Sequence, residues 1–396
     1  MTQQGYDVVV VGGGIMGSAI AYFLAAEPTY DGTVLVVEKD PTYAEASTTL
    51  SSGGIRQQFS TPENIQICQF GVEFIKSAHQ HLSVDGEAPQ IGFVEAGYLF
   101  IANDGGVPVM RSSHQIQRQH GADVVLLTPA EIADRFPWLN VDDVALGSFG
   151  QTGEGWLDPY ALLQAFRRKA RDLGVTYVKD EAVGMEMDGG RVAAVRLKEG
   201  GRVPCGVVVN GAGAKAAGIA AMAGIELPVR PRKRTTFYYL CATPLPRCPM
   251  VIESFGVAGL HFRPEGNGYI GGIAPPIAED HDAIDLDVDY SHWEDRVWPL
   301  LANRVPAFAE VKMVRAWAGL FEVNTLDQNA ILGPHPEVEN FFFINGFSGH
   351  GLQQAAGAGR SVAELIAFGA YRTLDLGRFS FDRIVSGEPV QELAVV

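Results

Sequence analysis

The chain has 396 residues, longer than one typical domain, with 47% hydrophobic and 19% charged residues and a net charge of −16. That charge argues against a nucleic-acid partner, whose binding relies on neutralising phosphates with Lys and Arg; a small anionic substrate at a local basic cluster stays open. Cys68, Cys205, Cys241 and Cys248 form no C-x-x-C pair and have no His at metal-ligand spacing, so reduced thiols and no metal are expected.

The polar Met1–Gly5 leads straight into an apolar run, so no signal peptide is expected, and no apolar run reaches bilayer length. The expectation is a soluble, cytoplasmic protein. Val8–Val11 reads as a strand that enters Gly12-Gly13-Gly14-Ile15-Met16-Gly17, then a helix through Ala26 and a second strand, Val34–Val37, closing on Glu38. Gly12, Gly14 and Gly17 fill G-x-G-x-x-G: a tight turn, a close approach for a pyrophosphate, and close helix–strand packing. The free N–H groups and positive dipole end of the helix suit a diphosphate. Glu38, 21 residues past Gly17, stands where an acid binds ribose hydroxyls. A bare glycine triplet is an ordinary turn; strand, helix and acid in register predict dinucleotide binding.

Next come small and hydroxyl residues, Ala46 to Ser52, then Gly53-Gly54-Ile55-Arg56. This suits a backbone carrying a large planar or phosphorylated ligand with Arg56 beside it. On composition it reads equally as a polar surface loop. Pro62 opens a long helix with Ile65, Phe70, Phe74 and Ile75 among its apolar positions. From Ile91 to Phe149 short strands dominate, with a helix of about Arg111 to His120 between Gly97–Ile101 and Val124–Leu127. Asp158-Pro159 starts a helix, Asp as N-cap and Pro in first place, that ends near Gly174. A strand at Val175–Val178 and a meander of Val183–Met187, Val192–Leu197 and Gly201–Val203 follow. Val207–Val209 reads as a separate buried strand ending in Asn210-Gly211-Ala212-Gly213.

Leu227–Leu320 reads as β again, with strands at Thr235–Leu240, Leu260–Phe262 and Tyr269–Ile273, one helix near His292–Leu301, and the basic cluster Arg230, Arg232, Lys233, Arg234. Phe341–Ile344 is a core strand running into Asn345-Gly346-Phe347-Ser348-Gly349-His350-Gly351 and a helix, Leu352–Ala370. After Arg372 the sequence is uninformative. The expected division is a nucleotide domain (1–90, 151–226, 321–396) interleaved with a β-rich domain (91–150, 227–320). The second Gly-rich strand-to-helix turn is explained by a flavin whose diphosphate sits on the first helix and whose ring meets the last. N–H groups at Gly349–Leu352 would then face the edge where negative charge collects on reduction.

Gly12–Gly17, the Ser47–Arg56 loop, Val209–Gly213 and Gly346–Gly351 together resemble the D-amino acid oxidase superfamily of FAD enzymes, especially its branch with sarcosine oxidase, dimethylglycine dehydrogenase and bacterial D-amino acid dehydrogenases. The resemblance spans nearly the whole chain, and Gly346–Gly351 is its most specific part. It implies an α/β, two-domain architecture in which a Rossmann-like FAD-binding domain interleaves with a substrate domain whose mixed β-sheet roofs the flavin. It implies oxidation of a C–N bond in an amine or amino acid by hydride transfer to flavin N5, the imine then hydrolysing. The cofactor set it implies is Gly12, Gly14, Ile15, Met16, Gly17, Glu38, Lys39, Ser47, Ser52, Gly53, Gly54, Val183, Gly211, Ala212, Gly213, Gly319, Gly346, Gly349, His350, Gly351 and Leu352.

The departures from the family pattern bear on attachment, substrate and acceptor. The flavin-tethering Cys of sarcosine-oxidase-like members is missing from Trp317–Glu322, and the tethering His of dimethylglycine-dehydrogenase-like members is replaced by Ser51-Ser52, so FAD is expected to be non-covalent. The usual carboxylate anchors fall at Phe59, Phe321 and Gln353. Arg234 matches a substrate-facing Arg of the dehydrogenase branch, and His261 falls where a substrate-facing Tyr sits. No Lys occupies Gly268–Gly272, where oxidases keep one over the flavin, so a dehydrogenase is expected, with a quinone, an electron-transfer flavoprotein or another carrier ahead of oxygen as acceptor.

The catalytic candidates are His261, Arg234, His350 and Arg56. Each has a plainer reading: a strand His, a solvated basic face, a backbone role in the turn, a loop Arg. Glu322 reads as a partner for a cationic amine or, more simply, as a surface Glu. The resulting expectation is an FAD-dependent amine or amino-acid oxidoreductase acting on a small molecule. Two alternatives stand beside it: a same-fold enzyme for 2-hydroxy acids, and a catalytically idle flavoprotein with an assembly or binding role.

Overall fold

The computed structural model describes residues 5–253 and 259–394. Two eight-stranded sheets draw their strands alternately along the chain. In the first, Tyr6–Val11 lies centrally, parallel to Val34–Glu38 on one side and to Gly201–Asn210 on the other. Thr176–Lys179 and Phe341–Asn345 extend it in parallel, and Ile331–Pro334 closes the edge antiparallel. Continuous apolar runs such as Val8–Val11 suit strands covered on both faces. One face is covered by the helices Ile15–Ala25, Pro159–Asp172 and Gly351–Phe368, the other by the small meander and Ala216–Ala221.

The sequence reading placed two strands between Gly201 and Val209; the structure has one, Gly201–Asn210. Pro204 and Gly206 are residue types that commonly interrupt a strand. Instead Pro204 sits where the strand changes partners, from antiparallel Arg191–Leu197 to parallel Tyr6–Val11, so its missing N–H falls at a seam between two ladders. The helix expected from Arg111 starts earlier, at Val107, because Pro108 is tolerated in a first turn. Asp158 caps its helix as expected, Oδ1 accepting the Ala161 N–H at 3.0 Å.

The second sheet runs Lys312–Asn324, Val229–Leu240, Gly268–Ile273, Leu260–Glu265, Met250–Glu253, Tyr98–Ala102, Leu146–Gly150, Val124–Leu127. Its one parallel contact joins Met250–Glu253 to Tyr98–Ala102, which makes it mixed. Period-two alternation sorts its side chains. Phe237, Val251 and Phe262 bury against Trp293, Val297, Leu301 and Phe308. Thr236, Ile252, His261 and Phe100 point the other way, back toward the first sheet. Among the described residues no helix is long and apolar enough to cross a membrane.

Gly351–Phe368 lies across the first helix. A Cβ on Gly359 would stand 2.8 Å from Ala19 Cβ, and one on Gly351 would stand 3.0 Å from Met16 Cε. Small residues at the crossing therefore bring two helix N-termini side by side. The tail after Arg372 also returns: Glu392 accepts from the Ser60 N–H (2.7 Å), the Ser60 hydroxyl (2.6 Å), the Thr61 N–H (3.1 Å) and Asn64 Nδ2 (2.9 Å).

Candidate active site

At the nucleotide end the backbone itself shapes the cradle. Gly12 has φ +100° and lies so close to Gly211 that a Cβ would meet its carbonyl oxygen at 2.5 Å. On Gly17 a Cβ would meet the Gly12 carbonyl oxygen at 1.9 Å, whereas Gly14 has only Thr48 Oγ1 nearby, at 3.7 Å. Two glycines close the turn and the third leaves an approach open, which fits a diphosphate. Ile15 and Met16 open the helix there; the Ile15 N–H donates to Thr48 Oγ1 at 3.3 Å. Glu38 ends its strand with Oε2 accepting the Gly13 N–H and Oε1 the Asp40 N–H, both at 2.8 Å, which fixes its carboxylate beside the turn. Ala212 and Gly213 follow Gly211 in a turn held by Asn210 Oδ1. Lys39 and Val183 stay on the surface, Val183 48% exposed. Beside Lys39, the Lys215 ammonium titrates below its ordinary value because the two cations face each other.

The loop from Ser47 to Arg56 passes between the sheets, and contacts along its length tie it to other elements. Ser47 Oγ donates to the Leu320 carbonyl (2.6 Å), and Trp317 Nε1 to the Leu50 carbonyl (3.1 Å). Gly319 faces the same loop, since a Cβ there would stand 3.1 Å from Leu50 Cβ. Arg263 Nε donates to the Ser52 carbonyl (2.7 Å), and the Leu157 N–H to that of Gly53 (3.0 Å). Gly53, at φ +75°, has no room for a Cβ against the Leu157 carbonyl at 2.3 Å; Gly54 lies beneath Tyr98. The Arg56 N–H donates to Gln353 Oε1 at 2.9 Å. The surface-loop reading of this segment therefore fails.

Arg56 is 2% exposed. Its guanidinium donates to the carbonyls of Gln58 and Ala394, the latter at 2.8 Å, lies 3.9 Å over the Phe59 ring and 5.2 Å from that of Phe100, and places Nη2 3.2 Å from His350 Nε2. Guanidinium has no acceptor, so His350 Nε2 must accept, which makes the ring the uncharged Nδ1–H tautomer. Burial and the Arg56 charge hold His350 well below the usual imidazole range. With its lone pair committed to Arg56, His350 orients that cation; it is not a free base. Its backbone heads the helix Gly351–Phe368, after Gly346 (φ +76°) and Gly349 (φ +95°). A Cβ on Gly349 would strike the Phe321 ring at 2.4 Å, and Leu352 follows in the first turn.

His261 stands on the inward face of the roof, two strands from Phe100 and so about 10 Å away. Burial, then Arg263 and Arg234, push its pKa down to about 4, so it is neutral near pH 7. Arg234 lies 5.1 Å from the Phe321 ring and grips Asp280 with both terminal nitrogens, at 2.7 and 2.9 Å. Arg263 is bound to Glu265 at 2.5 Å. Glu322 is half-buried, not a surface Glu: Oε2 accepts the Gly346 N–H at 3.2 Å, and burial pushes its carboxyl up to about 8.

Sequence reasoning missed Glu154, Gln58 and Ser148. Glu154 Oε1 accepts the Gln57 N–H (2.6 Å) and Oε2 the Gln58 side-chain amide (2.7 Å), while Gln58 Oε1 accepts from Ser148 Oγ (2.6 Å). Burial pushes Glu154 up to about 7. A cavity of about 10 Å³, the size of one water, adjoins this network, lined in part by Gln58, Phe100, Ser148 and Ala394. A lone acid between Gly153 and Gly155 carries no periodic or motif signal. The tail residues Glu392 and Ala394 carried none either.

Comparison with known proteins agrees with this geometry. The family described as FAD dependent oxidoreductase (DAO) matches residues 7–365. The chain is 44% identical to the FAD-dependent oxidoreductase domain-containing protein 1 of Xenopus laevis, over 98% of this chain and 85% of that one. It is 25% identical to the sarcosine oxidase subunit beta of an Arthrobacter species, over 98% and 94% of the two chains. The L-proline dehydrogenase of P. horikoshii superposes with a TM-score of 0.85 at 30% identity, covering 98% of this chain and all of that one. Two helix N-termini meet at Met16 and Gly351, and the match over residues 7–365 shows that this chain belongs to the DAO family of FAD-dependent oxidoreductases, with FAD as its cofactor.

Proposed function

We propose that the protein is a dehydrogenase that oxidises the C–N bond of a small amino acid or N-alkyl amino acid and passes the electrons to a carrier. Bound non-covalently, FAD supplies the two-electron acceptor. One observation carries the reading: a neutral His261 on the inward face of the roof lies in the field of Arg263 and Arg234, and a further cation, Arg56, is buried beside Phe100, which faces the same way. A guanidinium suits a carboxylate. An uncharged imidazole accepts a hydrogen bond from an amine without setting a second positive charge against it, and so helps keep the nitrogen lone pair available. Arg56, fixed by Phe59, His350 and Ala394, needs little reorganisation to meet a carboxylate.

The preference for a carrier over oxygen rests on the roof strand Gly268–Ile273, which has no Lys, and on Arg263 in the next strand, which is already bound to Glu265 and Ser52. No unpaired cation on these two strands is available to stabilise superoxide. The neutral His261 also favours a second reading, in which it takes the hydroxyl proton of a 2-hydroxy acid. Anaerobic mixing of the FAD-loaded protein with N-methyl amino acids, D- and L-amino acids, simple amines and 2-hydroxy acids separates the two by which class bleaches the flavin. Bleaching by none of them defeats both. Bleached enzyme mixed with aerated buffer should reoxidise over minutes yet reduce an artificial dye rapidly; reoxidation within a fraction of a second makes it an oxidase. Acid precipitation should leave the flavin in the supernatant.

A further inference from the structure

After the roof strand Gly268–Ile273 the chain runs from Ala274 to Tyr290 with only a single helical turn, Ile277–Glu279. Its backbone touches the neighbouring strand Val229–Leu240 at an Arg232–Asp282 bridge and through the Ala283 N–H, which donates to the Pro231 carbonyl at 3.0 Å. Four ion pairs fasten it. Arg232–Asp282, Lys233–Asp285 and Arg296–Glu279 each have a carboxylate side chain half exposed or more, and such pairs are individually weak. Among its described apolar side chains, Ile284 is 91% exposed and Val288 only partly covered.

The fourth pair is of another kind. Arg234 meets Asp280 end-on, Nη1 and Nη2 each on one carboxylate oxygen, with both side chains about four-fifths covered. This arginine belongs to the site, since it lies over Phe321, whose ring abuts Gly349 just before the helix Gly351–Phe368. Its Nε is buried and has no hydrogen-bond partner. A carboxylate bound side-on, through Nε and Nη2, would satisfy the donor that Asp280 leaves unmet.

We infer that Asp280 is an internal substitute for the substrate carboxylate. It holds the Arg234 fork until a ligand carboxylate takes it, and its release frees the segment 277–290. The inference rests on the reading of Arg234 as a carboxylate anchor. The exchange replaces one charge-assisted pair by another, so the charge balance is unchanged and the arginine is never buried alone. Asp280 thereby sets specificity: a ligand with a carboxylate can compete for the fork, whereas a plain amine cannot. The three weak outer pairs, the short backbone contact at Pro231–Arg232 and the partly covered Val288 then retain the segment.

The test uses FAD-loaded protein and acetate as the probe, with binding read from perturbation of the flavin absorbance band. A second readout is thermolysin cleavage at Ile284 and Leu286. Asp280→Ala should tighten acetate binding about tenfold. It should also raise cleavage without acetate to the rate that the parent reaches at saturating acetate. The isosteric Asp280→Asn should move both readouts in the same direction and guards against an Ala variant that misfolds. Unchanged acetate affinity in both Asp280 variants, with binding lost in Arg234→Ala, overturns the inference and leaves the proposed function standing. Binding indifferent to Arg234→Ala removes the anchor itself, and absence of any acetate perturbation in parent and Asp280→Ala alike overturns the inference too.

Discussion

The nucleotide end and the substrate end of the site are built from opposite materials. At the first, backbone meets backbone: a Cβ on Gly12 or Gly17 would fall 2.5 or 1.9 Å from a carbonyl oxygen, and no side chain can be added without moving the turn. At the second, charged and polar side chains hold one another: Arg56 by two carbonyls and a ring nitrogen, Arg234 by Asp280, Glu154 by Gln57 and Gln58. Backbone contact admits one residue type at each place. Side-chain networks admit many, so the same frame can serve different substrates while keeping one cofactor.

The contrast is broken most severely by Gly17→Val. The clash with the Gly12 carbonyl should cost about 3 kcal/mol or more, and FAD retention, read from the ratio of flavin to protein absorbance, should fall on the order of a hundredfold. Yellow protein at parental stoichiometry would show that the turn can give way. Arg56→Met attacks the other end. FAD content should stay near the parent's while turnover with a bleaching substrate drops by about a hundredfold, as for loss of a preorganised electrostatic group. Equal loss of FAD would mean that the ends are not separable.

Glu38→Ala removes the carboxylate that accepts the Gly13 and Asp40 N–H groups beside the turn. It should weaken FAD by roughly 1.5–3 kcal/mol, about ten- to a hundredfold, in titrations of the stripped protein. Unchanged affinity would assign the ribose to another group. The smallest effect is expected from Glu322→Gln. The folded-state pKa of Glu322, about 8, lies above its ordinary value of 4.5. Between the two the unfolded chain gives up its proton more readily, so stability is lost as pH rises from 4.5 through 8. In melts of FAD-free protein, Glu322→Gln should flatten that decline and gain on the order of 1–2 kcal/mol at pH 8, with no gain at pH 4. A gain equal at both pH values would place its cause outside titration.

What could be read from the sequence follows the same division. Gly12, Gly14 and Gly17, the strand before them and Glu38 after them are local and periodic, so spacing alone predicts a nucleotide turn. Arg234 and His261 came from resemblance, and the grip of Asp280 on Arg234, 46 residues away in sequence, leaves no trace in spacing. Glu392 and Ala394 act on Ser60 and Arg56 across more than 300 residues. Reading Gly201–Asn210 as two strands misses that a single strand changes its partners there, which is why Pro204 and Gly206, both poor in strand interiors, are tolerated in it.

The alternation of the chain between its two sheets has a consequence for how the protein is made. Tyr6–Val11 lies beside Gly201–Asn210, which lies beside Phe341–Asn345. Three adjacent strands thus come from opposite ends and the middle of the chain, and pairings of such long sequence separation form slowly. A nascent chain that leaves the ribosome in order must keep the Val8–Val11 edge unpaired until residue 210 arrives, and that of Val207–Val209 until residue 345. For that interval it exposes apolar strand edges open to wrong partners. The cradle for FAD is completed later still, when Gly351 comes to rest against Met16. A chain stopped at Leu320 would carry the whole Gly12–Gly17 turn yet lack the helix Gly351–Phe368 that packs against it.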